Sequence, residues 1–223
     1  YYTCDAICYR SDKLKPITKF ADLFDPALKG KIGVTPPQWG PASFLTDCAL
    51  FGGSDERGID TAGFKVAKEL AETGNLGHIC TGPADAPKLL TMGDAWVAVV
   101  GPNQLITPIR EGVKIGVAKY VEDTKMVTIA DCIAIVNGPR KETAKEFVNF
   151  YFTPEMNAKS CAHMGTVPSS VKAAVDPEVA KYWPTKDEFA NYWTGYDVNY
   201  IMANLDKWVE RWEKEIVPLI APK

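Results

Sequence analysis

Three short apolar runs in this chain end in the same punctuation: Val34-Thr35-Pro36-Pro37, Cys80-Thr81-Gly82-Pro83 and Val100-Gly101-Pro102-Asn103. Pro suits the first helical turn, where its missing N–H costs nothing, and Thr or Gly before it suits the cap. Strands alternating with helices on short connections call for a mainly parallel sheet covered on both faces. In such sheets ligands sit beyond the carboxyl ends of the strands, against helix N-termini. The stretch Gly30–Phe44 has this form: a buried strand at Ile32–Val34, a Pro/Gly-rich loop carrying Gln38 and Trp39, and a helix opening near Ala42 that includes Ser43. It reads either as one wall of a ligand site or as an ordinary connection with Trp39 tucked into the core.

The rest of the pattern brackets this unit. Residues 1–9 are aromatic and apolar and read as an extended strand, followed by a polar turn at 10–16 and a short helix at 19–24 capped by Thr18. Helices are expected at 42–51, 60–73, 84–92 and 103–111, with strands at 31–34, 76–80, 95–100 and 114–118. A second extended run spans 126–136, and helices at 141–152, 154–164, about 177–182 and 197–214 follow. In the last of these Val198, Ile201, Met202, Leu205, Trp208, Val209 and Trp212 form an amphipathic stripe. Two extended segments flanking a compact α/β unit are what a hinge between two lobes needs, and the helical remainder looks like part of an incomplete first lobe.

Composition narrows the chemistry. A formal charge of −3 leaves no basic patch for nucleic acid. No run approaches the roughly 20 apolar residues of a membrane helix. The chain opens on Tyr1 rather than Met and reads as a mature or truncated chain. Six cysteines are present (4, 8, 48, 80, 132 and 161). Cys4 and Cys8 on one strand would lie about 13 Å apart, beyond the reach of a disulfide. Cys48–Cys80 and Cys132–Cys161 remain open as bridges, with buried thiols the alternative. With no C-x-x-C and only His78 and His163, no metal site is expected, and no cofactor.

Motifs for catalysis are missing: there is no G-x-S-x-G, H-E-x-x-H, Walker loop or G-x-G-x-x-G. The three strand ends with their helix N-termini make a rim suited to an anion or polar group, with Thr81 and Asn103 as hydrogen-bonding candidates. Asp131 lies inside the apolar run Ile129–Val136. A carboxylate buried there needs a partner: it either pairs with a structural Lys or Arg, or faces a cleft and anchors a cationic ligand.

Several segments together resemble the periplasmic solute-binding proteins of ABC importers, type II fold, and most of all the spermidine/putrescine-binding branch. They are Ile17-Thr-Lys-Phe-Ala-Asp-Leu-Phe-Asp-Pro-Ala-Leu-Lys-Gly-Lys-Ile32, Leu89-Leu-Thr-Met-Gly-Asp-Ala-Trp96, Asp131-Cys-Ile-Ala-Ile-Val136, the run from Lys141 through Phe152-Thr-Pro-Glu155, and Trp208-Val-Glu-Arg-Trp212. The resemblance implies an α/β fold of two lobes joined by two crossing strands, the first lobe incomplete. Residues 1–11 would be the first crossing, 12–125 lobe two, and 126–223 the second crossing and the helical part of lobe one. What precedes Tyr1 would hold a signal peptide and the rest of lobe one.

The resemblance also places the site. The family's amine-anchoring Asp falls on Asp131. The acids of the polyamine binders fall near Pro37 and Gly40, their indoles near Val100 and on Ile129, and a tyrosine on Thr166. The aromatic box is thus mostly dismantled, with Trp39 and Tyr2 able to rebuild part of it. The expected ligand-binding set is Trp39, Asp131, Gln38, Tyr2, Ser43, Thr81, Asn103 and Thr166, with no catalytic residues. The implied function is to bind a small polar solute, a polyamine or a related amino or carboxylate compound, and deliver it to a membrane permease. The protein would be a periplasmic monomer with no nucleic-acid partner. The alternatives are an enzyme on a related two-lobed fold and a ligand-sensing domain.

Overall fold

A computed structural model describes residues 2–220, with the side chains of residues 2–4, 129 and 130 outside the described set. In chain order the elements are β1 (Tyr2–Cys4), β2 (Ala6–Arg10), β3 (Ile32–Val34), α1 (Ser43–Phe51), α2 (Phe64–Glu72), β4 (Leu76–Ile79), α3 (Asp85–Met92), β5 (Val97–Val100), α4 (Ile106–Arg110), β6 (Ile115–Ala118), β7 (Met126–Ala130), α5 (Lys141–Tyr151), α6 (Pro154–Met164), α7 (Pro177–Ala180), α8 (Lys186–Tyr192), β8 (Trp193–Thr194) and α9 (Val198–Glu215). Tight 3₁₀ turns occupy Phe20–Phe24 and Pro102–Leu105, and a π turn at Ile59–Gly63 leads into α2.

Two sheets organise these elements. The larger has the order β4-β3-β5-β2-β6. β3 is parallel to β4 and β5, while β2 runs antiparallel between β5 and β6. The three Pro/Gly turns therefore share one edge, the carboxyl edge of β3, β4 and β5. The register Ala6↔Val100 brings the start of β2 to that same edge. The smaller sheet has the order β1-β7-β8, with β1 antiparallel and β8 parallel to β7. It contains both expected crossing strands and adds a third at Trp193–Thr194.

The extended run 1–9 is split by Asp5, so that β1 and β2 belong to different sheets. Cys4 and Cys8 accordingly sit on separate strands. Cys48, Cys80 and Cys161 are buried thiols, so neither pairing left open by the sequence forms. Strand β7 stops at Ala130 rather than at 136, and Asp131, Cys132, Ile133 and Ala134 lie exposed beyond it. Among the described residues no strand lies alongside the apolar run beyond Ala130. Ile133, Val136, Phe147 and Phe150 form an exposed apolar surface with the outer face of α5, which buries none of its residues.

The last helix departs from a simple division at residue 126. One core runs from Ala6 to Ile220 and takes in Ile201, Trp208 and Trp212 of α9. Trp212 meets the Phe44 ring of α1 edge-on at 6.1 Å, and the Arg211 guanidinium lies 3.9 Å from the centre of the Phe64 ring. Arg211 also donates to the Asp60 carboxylate at 3.0 Å and to its carbonyl at 2.9 Å, and Trp208 Nε1 donates to the same carboxylate at 3.2 Å. Burial pushes the Asp60 carboxyl up, and hydrogen bonds from Lys207 and Arg211 outweigh it. The amphipathic stripe of α9 thus docks on α1, α2 and the π turn before it.

Trp212 is fully buried and its indole N–H has no hydrogen-bond partner, so it contributes through packing. Trp212→Ala is expected to lower unfolding stability by about 3–5 kcal/mol in urea titration. A loss below about 1 kcal/mol would show that α9 is not part of this core.

Candidate functional site

The loop after β3 is held from within. Trp39 N–H donates to the Pro36 carbonyl at 2.9 Å, Ala42 N–H to Pro37 at 2.7 Å and Ser43 N–H to Gly40 at 2.8 Å. Gly40 has φ +62° and Ala42 φ +56°, both left-handed values that L side chains adopt at a cost. The two bends turn the chain into α1 within a few residues. They leave Gln38 exposed and Trp39 45% exposed at the tip. An indole of that size left in solvent at a strand's carboxyl edge is available to a ligand, and it is not tucked into the core.

Beneath the loop lies a residue absent from the expected set. Asp5, between β1 and β2, accepts hydrogen bonds on Oδ2 from Ser43 Oγ and from Thr35 Oγ1, the latter at 3.3 Å. Burial pushes its carboxyl up to about 6, against the lowering effect of those two hydroxyls. One turn into α1, the fully buried Asp47 accepts the Val127 N–H of β7 on Oδ1 at 2.8 Å, and its Oδ2 has no partner. Burial drives the Asp47 carboxyl well above the usual carboxylate range; the Val127 bond opposes this and the Asp5 charge adds to it. The Tyr196 hydroxyl, just after β8, is also buried without a partner, and burial together with the Asp5 and Asp47 charges raises it. The residue between β1 and β2 and the start of β7 therefore both bond to the first turns of α1.

The remaining candidates fall into separate places. Ser43 is buried against Asp5. Thr81 is exposed, but its N–H and hydroxyl and the Gly82 N–H all donate to the Asp85 carboxylate, at 2.8, 3.2 and 3.0 Å. Asn103 is half-buried in the 3₁₀ turn before α4. Thr166 is buried with its hydroxyl unpartnered, and it follows Gly165, which packs on Ile106 of α4 so closely that an added Cβ would lie 2.7 Å away. Arg110 binds the Ala162 carbonyl at 2.7 Å, and Trp183 Nε1 the Gly165 carbonyl at 2.8 Å. The turn carrying Asn103 and the segment carrying Thr166 are thereby brought to the same end of α4. Asp131 is exposed beyond β7, and the Tyr2 side chain lies outside the described residues.

The thiols and metal candidates complete the inventory. Burial raises Cys8 and Cys48 and pushes Cys80 up to about 12, the reverse of what a nucleophilic thiol needs. Among the described residues no group of three His, Cys, Asp or Glu side chains is placed to hold a metal. No helix among them is long and apolar enough to cross a membrane.

Residues 1–187 match the sequence model of a family described as bacterial extracellular solute-binding protein. No curated protein sequence matches the chain. Solved structures with the same fold include an ABC transporter protein from Clostridium perfringens, 18% identical with a TM-score of 0.74, covering 96% of this chain and 67% of its own. The periplasmic binding protein AfuA from Actinobacillus pleuropneumoniae, with fructose-6-phosphate bound, is 18% identical with a TM-score of 0.73, covering 97% and 67%. A protein from Listeria monocytogenes named for spermidine/putrescine ABC transport is 17% identical with a TM-score of 0.69, covering 96% and 67%.

Gly40 is the position where loop geometry is most exposed to test. A Cβ there would lie 2.9 Å from Ser43 Oγ and 3.2 Å from Asp5 Oδ2, at a φ of +62°. Gly40→Ala is expected to cost about 1–3 kcal/mol in thermal or urea unfolding. An unchanged midpoint would mean the loop does not hold this conformation.

Proposed function

This chain belongs to the family of bacterial extracellular solute-binding proteins, and on that premise we propose that the carboxyl edge of its larger sheet is one wall of a cleft for a small amine-bearing solute. The family places the protein outside the cytoplasm, in the periplasm, as the solute-binding component of an ABC transporter. In our reading residues 12–125 form one lobe, residues 1–11 and the start of 126–223 cross to the other, and the solute is handed to a membrane permease. The exposed apolar surface at 133–150 is then the face that further parts of the first lobe cover in proteins of this fold. In this reading binding is non-covalent and the protein is a monomer without catalytic turnover; the upward-shifted Cys8, Cys48 and Cys80 thiols speak against a nucleophilic cysteine among them.

One observation carries the choice of solute class. Of the three turns on this edge, two carry the protein's own carboxylates: Asp5 against the Ser43 hydroxyl at α1, and Asp85 against the Thr81 and Gly82 amides before α3. Backbone N–H groups at helix starts are the usual grip on phosphate or carboxylate, and carboxylates beside two of these starts weaken that grip for an anion. The edge loops 35–43, 80–85 and 101–105 contain no Lys, Arg or His to replace it. An exposed indole suits an ammonium group. Trp39 would stack on it and Asp131 pair with it, while Gln38, Asn103 and Thr166 offer hydrogen bonds.

Calorimetry on the full-length protein tests this with putrescine, a small ω-amino acid and fructose 6-phosphate. Saturable binding of an amine without product formation is expected, and Trp39→Ala should weaken it by about tenfold, the loss of one cation–π contact of about 1–2 kcal/mol. Preference for the phosphorylated sugar, or conversion of any compound to product, would overturn the reading.

A further inference from the structure

We propose that Asp5 is the positioning residue of the solute loop: from the first interlobe crossing it holds the hydroxyls of Thr35 and Ser43, and its ionisation favours release of the loop that carries Gln38 and Trp39. The part of this that concerns solute rests on the solute-cleft reading above; the tie between Asp5 and the loop does not. Three observations carry it. Asp5 is the single residue between β1 of the smaller sheet and β2 of the larger. Both hydroxyl bonds fall on one oxygen, Oδ2, and they come from the two ends of the loop, residue 35 just after β3 and residue 43 at the start of α1. Between those ends the loop takes two left-handed residues, Gly40 and Ala42, and at Ala42 this carries a backbone cost that an outside grip has to offset.

The chemistry of the pocket sets the direction. The groups whose charge couples to Asp5 are Asp47 of α1, the Cys8 thiol of β2, the Cys80 thiol after β4 and the Tyr196 hydroxyl after β8. All of these are neutral or negative, and among the described contacts no Lys, Arg or His reaches Asp5. With Oδ2 committed to the two hydroxyls, Oδ1 is left to take the proton. Protonation therefore keeps both bonds and removes a charge that has no counter-ion. The buried carboxyl holds its proton up to about pH 6, above the ordinary value of 3.8. A loop opened to water would release that proton earlier. The closed loop thus binds more protons than the open one between these values, so raising pH through that window favours opening.

Hydrogen–deuterium exchange on the full-length protein without solute reads the tie directly, at the amides of Trp39, Ala42, Ser43 and Thr46. After correction for intrinsic exchange, the opening equilibrium of residues 35–46 is expected to rise about tenfold from about pH 5 to about pH 7.5. Asp5→Asn, which keeps the shape without the charge, should abolish that dependence and protect the loop at the higher pH. Ser43→Ala removes a bond that lowers the carboxyl's value and should move the midpoint upward, giving a second reading if Asp5→Asn fails to fold. Loop exchange that is independent of pH, or equally dependent on it in Asp5→Asn, would overturn the proposal. Titration of the same proteins with putrescine separates the two readings: absence of binding would sink the solute class, while the exchange result still decides the tie.

Discussion

Helix α1 is fixed at its start by carboxylates that face inward. Asp47 accepts the backbone N–H of Val127, and Asp5 accepts the hydroxyl of Ser43. An unpaired buried carboxylate is costly, so each of these groups needs the donors that the neighbouring segment supplies. Through them the strands that pass between the two sheets are referred to one helix. The loop from Thr35 to Ser43 hangs from the same helix, so its geometry depends on where the crossings lie. In a two-lobed binding protein lobe closure is the working motion, and in the reading proposed here the hinge and the cleft wall share these supports.

In the proposed reading Asp5, together with Asp85, also shapes what the cleft wall accepts. A parallel sheet with helices opening on its carboxyl edge is built to hold anions, and the fold is shared with a protein that has fructose-6-phosphate bound. In this chain Asp85 closes the turn after β4, and Asp5 stands at the start of α1. Their charge disfavours a phosphate or carboxylate at those two ends. What remains free at the edge is an exposed indole and neutral polar groups. Fold and solute class are therefore separate questions, decided by different residues.

Much of the fold was legible because its signals are local. The Pro/Gly turns after Val34, Ile79 and Val100 mark strands that do lie parallel, and the apolar spacing in 198–215 marks a helix that does bury Ile201, Trp208 and Trp212. Elements defined by distant partners were not legible. β8 is two residues long and exists only through its pairing with β7, and the strand in 126–136 ends at Ala130, beyond which no strand among the described residues runs beside it. Asp131, read as a buried acid, is exposed for that reason. Applied to every acid in an apolar run, the same argument would have found Asp5 and Asp47, which sit in Cys4-Asp5-Ala6-Ile7 and Leu45-Thr46-Asp47-Cys48. Ser43 and Thr81 have the predicted residue types for a ligand rim, yet both are engaged by neighbouring carboxylates that only the folded chain brings to them.

The central claim is that the wall bearing Trp39 holds an amine-bearing solute between two lobes. A crystal structure of the full-length protein grown with putrescine tests it most directly. The account predicts the ammonium group against the Trp39 ring, with the alkyl chain running toward the start of α4, which the turn carrying Asn103 precedes and Gly165 packs against. Putrescine bound elsewhere on the molecule, or density for an anion at the start of α1 in place of the Asp5 contact, would contradict it.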